Sequence, residues 1–387
     1  MAKNNNIYDV IVIGAGSIGV PSAFYLSQNK LKVLVVDKNA SVGQSSNKTA
    51  IGGIRATHSD PAKIRLCLRS IEIFSTWKEI YGDDIEWYRG GYLFTAYQQK
   101  DEKTLKDLLV IQKKLGLSID WLENDDLLQV APALNPHKLI GGTFSPGDGN
   151  ASPLLANHAF YDHTRFAGAN FVFNTTVNRL LKEKNKITGV STSCGEFYAP
   201  IVINAAGAWA KNIGAMAGIE VPVTPDSHEA GITEPVKRFI NPMIVDIRPF
   251  GKSSNFYFYQ HFTGQILFCL TPSPNIWGFD TRETSEFLPL VSQRLIDVVP
   301  SLMNLRIRRT WRGLYPMTPD GFPLIGYIPE VEGFLLAVGM CGQGFMLGPG
   351  VGEMIARIIL GNLDEKDKEI LTLLSPQRSF VIQEKLK

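Results

Sequence analysis

At 387 residues, with 44% hydrophobic and 20% charged residues, the chain has the composition of ordinary soluble globular protein and room for two domains or one large bipartite one. Its 39 Lys and Arg against 37 Asp and Glu leave a formal charge of +2, so no nucleic acid or other polyanionic partner is expected. No apolar run approaches the roughly 18 residues a spanning helix needs, and the first strand begins too early for a signal peptide; the expectation is a cytoplasmic protein without an integral membrane segment.

The first predicted element lies in "YDVIVIGAGSIGVPSAFYLSQNKLKVLVVDK". The apolar run Val10–Ile13 ends at Gly14, Gly16 and Gly19, a helix-forming stretch follows, and a second β-branched run closes on Asp37. In a strand–turn–helix that binds a dinucleotide, Gly14 permits the sharp turn, Gly16 removes a side chain that would block a pyrophosphate, and Gly19 lets helix and strand pack closely. The helix N-terminus offers free N–H groups to the phosphates, and Asp37, eighteen residues after Gly19, can accept both ribose hydroxyls.

A polar, glycine-rich stretch follows, then a helix from Pro61 to Tyr81, then "IEWYRGGYLFTAY", which reads as a hairpin. Residues 101–131 read as two helical segments, and Pro153 to Phe166 as an amphipathic helix. From 170 to 210 the pattern is strand, hairpin, strand, ending in "APIVINAAGAWA". The next hundred residues are strand-rich and aromatic, with the alternation of an antiparallel sheet covered on one face. The basic run "RIRRTWRG" alternates with Ile307, Thr310 and Trp311, as suits a half-exposed strand rather than a nucleic-acid patch. The chain then gives strand, loop, strand, a glycine-rich turn and a last helix starting near Phe345. The predicted class is α/β (α+β): a Rossmann-like nucleotide domain of residues 1–85, 140–222 and 305–387, interrupted by a substrate domain of residues 86–139 and 223–304 with a mainly antiparallel sheet.

Cys67, Cys194, Cys269 and Cys341 lie far apart with no CxxC, which suits a reducing compartment. His158 and His163 are five apart on a predicted helix and point to different faces, so no metal is expected.

Three glycine-marked segments far apart in sequence would converge on one extended ligand, which favours a flavin over a nicotinamide. The second ends in Ala205, Ala206 and Gly207, whose small side chains let the backbone approach a cofactor, although a strand ended by a small-residue turn would read the same. The third, from Gly339 to Gly344, feeds a helix that could aim N–H groups at the pyrimidine edge of an isoalloxazine.

"DVIVIGAGSIGVPSAFYL", "VINAAGAWA", "GLYPMTPDGFPLIG" and "GQGFMLGPGVGEMIA" together resemble the FAD-dependent D-amino acid oxidase family, in its sarcosine oxidase, glycine oxidase and proline dehydrogenase branch, over essentially the whole chain. The look is closest to β subunits of multi-subunit sarcosine oxidases and dye-linked proline dehydrogenases, which implies an α subunit as a possible partner. The resemblance implies that Gly14, Gly16, Ser17, Ile18 and Gly19 hold the FAD pyrophosphate and Asp37 the adenosine ribose, with Lys38 also among the cofactor-binding residues. It places Ser45, Ser46, Asn47, Ala50, Gly52 and Gly53 along the phosphates and flavin, Val177 at the adenine, and Gly207 and Trp209 beside the middle motif. Gly313, Gly342, Gln343, Gly344, Phe345 and Met346 would surround the ring. Where monomeric sarcosine oxidases carry a flavin-linking cysteine, this chain has Gly313, so FAD should be held noncovalently. Where several relatives have a lysine near the substrate carboxylate, it has Met346, and the lysine that monomeric sarcosine oxidases carry on a flavin-facing strand is matched by Ile266, Leu267 and Phe268, with Lys252 too far up the sequence to be an obvious substitute.

A carboxylate-bearing substrate needs a fixed cation, preferably a guanidinium fork. Arg55 follows the flavin-lining glycines and resembles the family's substrate-side arginine; a structural ion pair is the competing reading. In "NFYFYQHF", Tyr257, Tyr259 and His261 alternate onto one face, which should cover the substrate side of the flavin unless sheet packing alone chose the aromatics. With Gln343 and Met346 these are the candidate catalytic residues. The expected function is oxidation of the C–N bond of a small amino acid or secondary amine (sarcosine, proline, hydroxyproline or glycine type) to an imine, by hydride transfer to flavin N5. The alternatives are oxidation of an alcohol such as glycerol 3-phosphate on the same fold, or a noncatalytic FAD-carrying subunit of a heteromeric dehydrogenase.

Overall fold

A computed structural model describes residues 6–386. Val10–Ile13 is the centre of a six-stranded sheet in which Asn170–Val172, Val33–Val36, Val10–Ile13, Ile201–Asn204 and Phe334–Val338 run parallel, and Leu324–Tyr327 closes one edge antiparallel. Val10–Ile13, Val33–Val36 and Ile201–Asn204 are β-branched at ten of twelve positions, as suits strands covered on both faces. Val10, Val12, Val33 and Val35 pack toward the helices Gly19–Gln28, Pro61–Tyr81, Pro153–Phe166 and Gly344–Leu360. Ile11, Ile13, Leu34 and Val36 pack toward a three-stranded sheet of residues 177–198. An unbroken apolar run is what a buried parallel sheet requires.

The helix bounds follow their capping chemistry. Asp60 accepts from the backbone N–H of Lys63 ahead of Pro61, and Gly82 ends that helix at φ +88°. Ser152 accepts from Leu155 N–H ahead of Pro153. An N-cap acceptor, proline in the first turn and a left-handed glycine are the marks that make a helix readable.

The second sheet has eight strands, in the spatial order Ile307–Met317, Thr224–Thr233, Ile266–Pro272, Ser253–Gln260, Met243–Asp246, Tyr92–Ala96, Gly141–Ser145 and Asp120–Glu123. It is antiparallel throughout except where Met243–Asp246 runs parallel to Tyr92–Ala96. Alternation divides its faces as expected: Phe256, Phe258, Phe268 and Leu270 pack beneath helix Phe287–Val298, while Tyr257, Tyr259 and Cys269 belong to the opposite cluster.

Two expectations are corrected. The stretch 85–97 is no hairpin, because Tyr92–Ala96 pairs with the distant Gly141–Ser145 and Met243–Asp246, and Tyr88 bridges to Asn150. Gly141–Ser145 and Ile307–Met317, assigned above to the nucleotide domain, hydrogen-bond into the large sheet. Among the described residues no single helix is long and apolar enough to cross a membrane.

The first and last helices meet at glycine. A Cβ on Gly348 would lie 2.1 Å from the carbonyl oxygen of Ser17, and one on Gly352 would lie 2.6 Å from the carbonyl carbon of Pro21. Helix propensity alone favours alanine over glycine by about 1 kcal/mol, but here a backbone oxygen stands in the way and cannot rotate aside. Gly348→Ala should therefore destabilise the protein, by about 1 to 3 kcal/mol, read as a lowered denaturation midpoint. An unchanged or raised midpoint would mean that the helices separate freely.

Candidate active site

An elongated cavity runs between the carboxyl ends of the parallel strands and the inner face of the large sheet. Gly14 begins its floor at φ +111°, where a Cβ would sit 2.5 Å from the carbonyl oxygen of Ala205, so the first glycine turn and the Ala205–Ala206 segment touch backbone to backbone. At Gly16 an added Cβ would meet no protein atom within 4 Å and would project into open space. Ser17 and Ile18 also line the wall. Gly19 does not; a Cβ there would lie 1.8 Å from Gly14 O, so this residue closes helix onto turn.

Asp37 ends its strand with both oxygens held. Ala15 N–H donates to Oδ2 at 2.7 Å, and Asn39 donates to Oδ1 from its backbone N–H at 2.7 Å and its amide at 3.0 Å. Lys38 lays its ammonium 3.1 Å from the centre of the Trp209 ring. Val177, Ala206, Gly207 and Trp209 complete this end. Thr175, Thr176, Asn212 and Met216 line it too and carry no sequence signal of their own.

The loop 45–53 forms one long wall, and the large sheet holds it. Ser46 Oγ donates to Leu314 O at 2.7 Å, Trp311 Nε1 donates to Thr49 O at 2.8 Å, and Tyr259 Oη donates to Ile51 O at 2.7 Å. Ser45, Ser46, Asn47, Ala50, Gly52 and Gly53 all face the cavity. Tyr259 does not; its hydroxyl is spent on this brace. Gly313 is likewise absent from the wall, because its missing Cβ makes room for Thr49, whose Oγ1 a Cβ would meet at 2.3 Å. His261 lies beyond the strand end at Gln260, bonded to Thr263 and 3.5 Å from Glu86.

The last helix closes the far side. Gly339, Gly342, Gln343, Gly344, Phe345 and Met346 are on the wall, with Gln343 as N-cap of Gly344–Leu360. The Gln343 Oε1 is buried and has no protein partner, as has Asn47 Oδ1. Buried acceptors without partners on a cavity wall cost free energy unless a ligand supplies donors. A helix N-terminus, a glycine turn open to a pyrophosphate, a strand-end carboxylate and orphaned amide oxygens fit FAD; position 313 is a glycine off the wall, and the cysteine that lines the cavity is Cys341, whose Sγ is bonded to Thr318 and Gly339 O.

On the sheet side the wall is Tyr92, Phe94, Arg55, Tyr257 and Tyr315. The hydroxyls of Tyr257 and Tyr315 are 2.5 Å apart, and Tyr315 stacks on His228, ring centres 3.8 Å apart. Burial, the largest cause, holds both phenols well above their ordinary range, so both keep their protons. Tyr315 escaped the sequence reading, although it follows Gly313 by two along one strand and so shares its face.

Arg55 is buried, and its hydrogen-bond partners among the described residues are neutral. NH1 donates to Thr57 O and lies 3.2 Å from His58 Nδ1, and NH2 donates to Leu386 O at 2.8 Å. Burial first, then the Arg55 and Lys63 charges, push His58 well below its usual range, so it stands there uncharged. Asp148 fixes the segment by accepting from Ala56 N–H at 3.1 Å and Thr57 Oγ1 at 3.0 Å.

Burial pushes the Asp148 carboxyl from 3.8 up to about 6. Since the folded value exceeds the unfolded one, this proton's stabilisation is full at acid pH and is lost as pH rises through the folded value, by about 3 kcal/mol at most. Asp148→Asn removes the titration. Its stability relative to wild type should therefore improve between about pH 4 and pH 7, measured by denaturant unfolding; a constant difference would show that the carboxyl ionises normally.

Comparison with known proteins agrees with this geometry. Residues 9–358 match the family model described as FAD dependent oxidoreductase. The fold is similar to that of L-proline dehydrogenase from P. horikoshii, with a TM-score of 0.89 and 36% identity over 96% of this chain and 97% of that one. In sequence the chain is 27% identical to hydrogen cyanide synthase subunit HcnC of Pseudomonas aeruginosa, over 92% of this chain and 93% of that one. It is also 27% identical to glycine oxidase of Bacillus licheniformis, over 92% and 94%. The chain belongs to the FAD-dependent oxidoreductases of the D-amino acid oxidase family.

Proposed function

We propose that the protein oxidises the C–N bond of a small amino acid or secondary amine carrying a carboxylate, to an imine that water then hydrolyses. The observation that carries this reading is Arg55: a buried guanidinium on the cavity wall, 5.2 Å from the centre of the Phe94 ring, with neutral hydrogen-bond partners among the described residues. Such a group is poised for an anion, and its planar fork suits the two oxygens of a carboxylate. The relatives named as proline dehydrogenase and glycine oxidase support the class of substrate.

FAD, when bound, supplies the hydride acceptor; orientation falls to the protein. Gly14, Gly16, Ser17, Asp37 and the N-terminus of Gly344–Leu360 would hold it. Arg55 would fix the substrate carboxylate, and the Tyr257–Tyr315 pair, whose hydroxyls share one hydrogen bond and also meet Cys269 Sγ, 3.8 Å from Tyr315 Oη, would set the reacting carbon beside the cofactor. Because both phenols stay protonated, neither serves as the base. The described wall residues contribute two cations, Lys38 on Trp209 and Arg55 on the sheet side. A single guanidinium suits a carboxylate better than the doubly charged phosphate of a glycerol phosphate. An α subunit remains part of this reading, with the chain as the amine-oxidising partner.

Arg55→Met should lower kcat/KM for the preferred amino acid by about 2 to 5 kcal/mol of transition-state free energy, with FAD content unchanged, and Arg55→Lys should restore only part of it. Unchanged turnover would remove Arg55 from the substrate. Gly16→Val, whose Cβ would meet no protein atom within 4 Å, should fold normally and lose its flavin; a variant that purifies fully yellow would put the pyrophosphate elsewhere. With no lysine on the wall formed by the large sheet, the protein reduced anaerobically should be reoxidised by oxygen more slowly than by a dye. Equal rates would make it an oxidase.

A further inference from the structure

Arg55 is oriented from behind the cavity wall. A guanidinium carries five N–H groups and no acceptor. The two on NH1 go to Thr57 O and, at 3.2 Å, to His58 Nδ1, and one on NH2 goes to Leu386 O at 2.8 Å. Nε–H and the second NH2 hydrogen, on neighbouring nitrogens, have no hydrogen-bond partner among the described residues. Arg55 lines the cavity and His58 does not; the imidazole is fully buried. The His58 backbone N–H donates to Ala56 O at 2.9 Å, its carbonyl accepts from Gln112 Nε2 at 3.0 Å, and its ring Nε2 lies 3.4 Å from Cys67 Sγ. Cys67 stands in helix Pro61–Tyr81 and Gln112 in helix Gln99–Lys114, so two helices fix the ring that meets the guanidinium.

We propose that His58 is the positioning residue of Arg55, whose unprotonated Nδ1 holds NH1 so that Nε and NH2 turn to the substrate carboxylate. The inference rests on the reading of Arg55 as the carboxylate-binding group. Arginine can only donate, so Nδ1 is the accepting nitrogen and the ring proton lies on Nε2, toward the Cys67 sulfur. Burial pushes the Cys67 thiol up to about 12, so what stands behind the histidine is a neutral, weak acceptor. The nearby carboxylates are engaged elsewhere, Asp148 with Ala56 N–H and Thr57 Oγ1, and Glu384 with Lys63 and Ser59. Neutrality of the acceptor decides what Arg55 can do. A carboxylate in place of the imidazole would bind the guanidinium about twice as strongly and cancel the charge the substrate needs. An apolar side chain would leave a buried N–H unmatched and the fork free to turn. The imidazole fixes the direction of the fork and leaves its charge in place.

The test titrates the FAD-loaded full chain with pyrrole-2-carboxylate and with pyrrole-2-carboxamide, its uncharged counterpart, and reads binding from the flavin absorption spectrum. The ratio of the two dissociation constants separates the guanidinium from the packing of the ring. Asparagine puts an amide oxygen where His58 carries Nδ1, whereas glutamine carries it one bond further, where Nε2 stands. His58→Asn should keep the wild-type ratio to within about 3-fold, and His58→Gln should lose about 10-fold of it. His58→Asp, with a charged acceptor in the same place, should lose at least as much. Loss of shape alone would weaken both probes together, so an unchanged ratio in His58→Gln or His58→Asp, or equal losses in His58→Asn and His58→Gln, overturns the assignment. Should the variants at 58 fail to fold, the wild type decides: nitrogen NMR of isotope-labelled histidines should show a bare Nδ1 and a protonated Nε2 at His58, identified by the shift that Cys67→Ser gives it, and a protonated Nδ1 overturns the assignment. Arg55→Met distinguishes the two readings. If it loses the preference for the carboxylate while His58→Gln keeps it, the positioning role alone is wrong; if it keeps the preference, or if wild type has none, the carboxylate reading falls and the positioning role with it.

Discussion

The site depends on how closely two helices approach each other. Gly19–Gln28 and Gly344–Leu360 come from opposite ends of the chain, and both begin at the cavity. They do so because Gly348 and Gly352 accept the backbone of residues 17–22 where a side chain would stand, while Gly19 does the same for the carbonyl of Gly14. Moving the helices apart by a methyl group would draw one N-terminus away from the phosphate end or the other from the ring end. Glycine in mid-helix costs stability, and that cost is accepted here because two positive helix ends must converge on one extended anionic ligand.

The second constraint is that the cavity wall belongs to two sheets at once. Residues 45–53 leave the six-stranded sheet and are pinned along the eight-stranded one by Ser46, Trp311 and Tyr259. Gly313 sits under Thr49 for the same reason. Residues that a motif reading assigns to the cofactor thus divide into those that face it and those that hold the facing loop in register. Tyr259 and Gly313 are in the second group, at a site whose geometry they set without lining it.

What could be read from sequence followed the range of the interaction. Helices Pro61–Tyr81 and Pro153–Phe166 were legible, with approximate bounds, because Asp60, Pro61, Gly82, Ser152 and Pro153 are local signals. The glycine turns were legible because a positive φ or a close approach excludes other residues over a few positions. Strand Tyr92–Ala96 was not, since its partners are Gly141–Ser145 and Met243–Asp246 and nothing within 85–97 encodes them. His261 was placed on the aromatic face by alternation, but alternation holds only while the strand continues, and it ends at Gln260. Thr175 and Thr176 reach the wall from the connection between Asn170–Val172 and Val177–Glu183, where no periodicity marks the inward face.

Gly342 shows why a glycine motif can report more than cofactor contact. At φ +81°, a Cβ there would meet the Tyr315 ring at 2.2 Å, so the last glycine turn leaves room for the ring whose hydroxyl pairs with Tyr257. The opposite face of Tyr315 is stacked on His228, whose Nε2 is 2.9 Å from Asp226. Burial outweighs that carboxylate and lowers the imidazole below its ordinary range, so an uncharged ring backs the phenol and no cation there draws its proton away. The turn, the phenol, the imidazole and the carboxylate form one stack from the last helix into the strand Thr224–Thr233, and it fixes the height of the Tyr257–Tyr315 pair above the cavity floor. One glycine thus shapes both the turn at the start of the last helix and the place of the Tyr315 ring on the sheet side of the cavity.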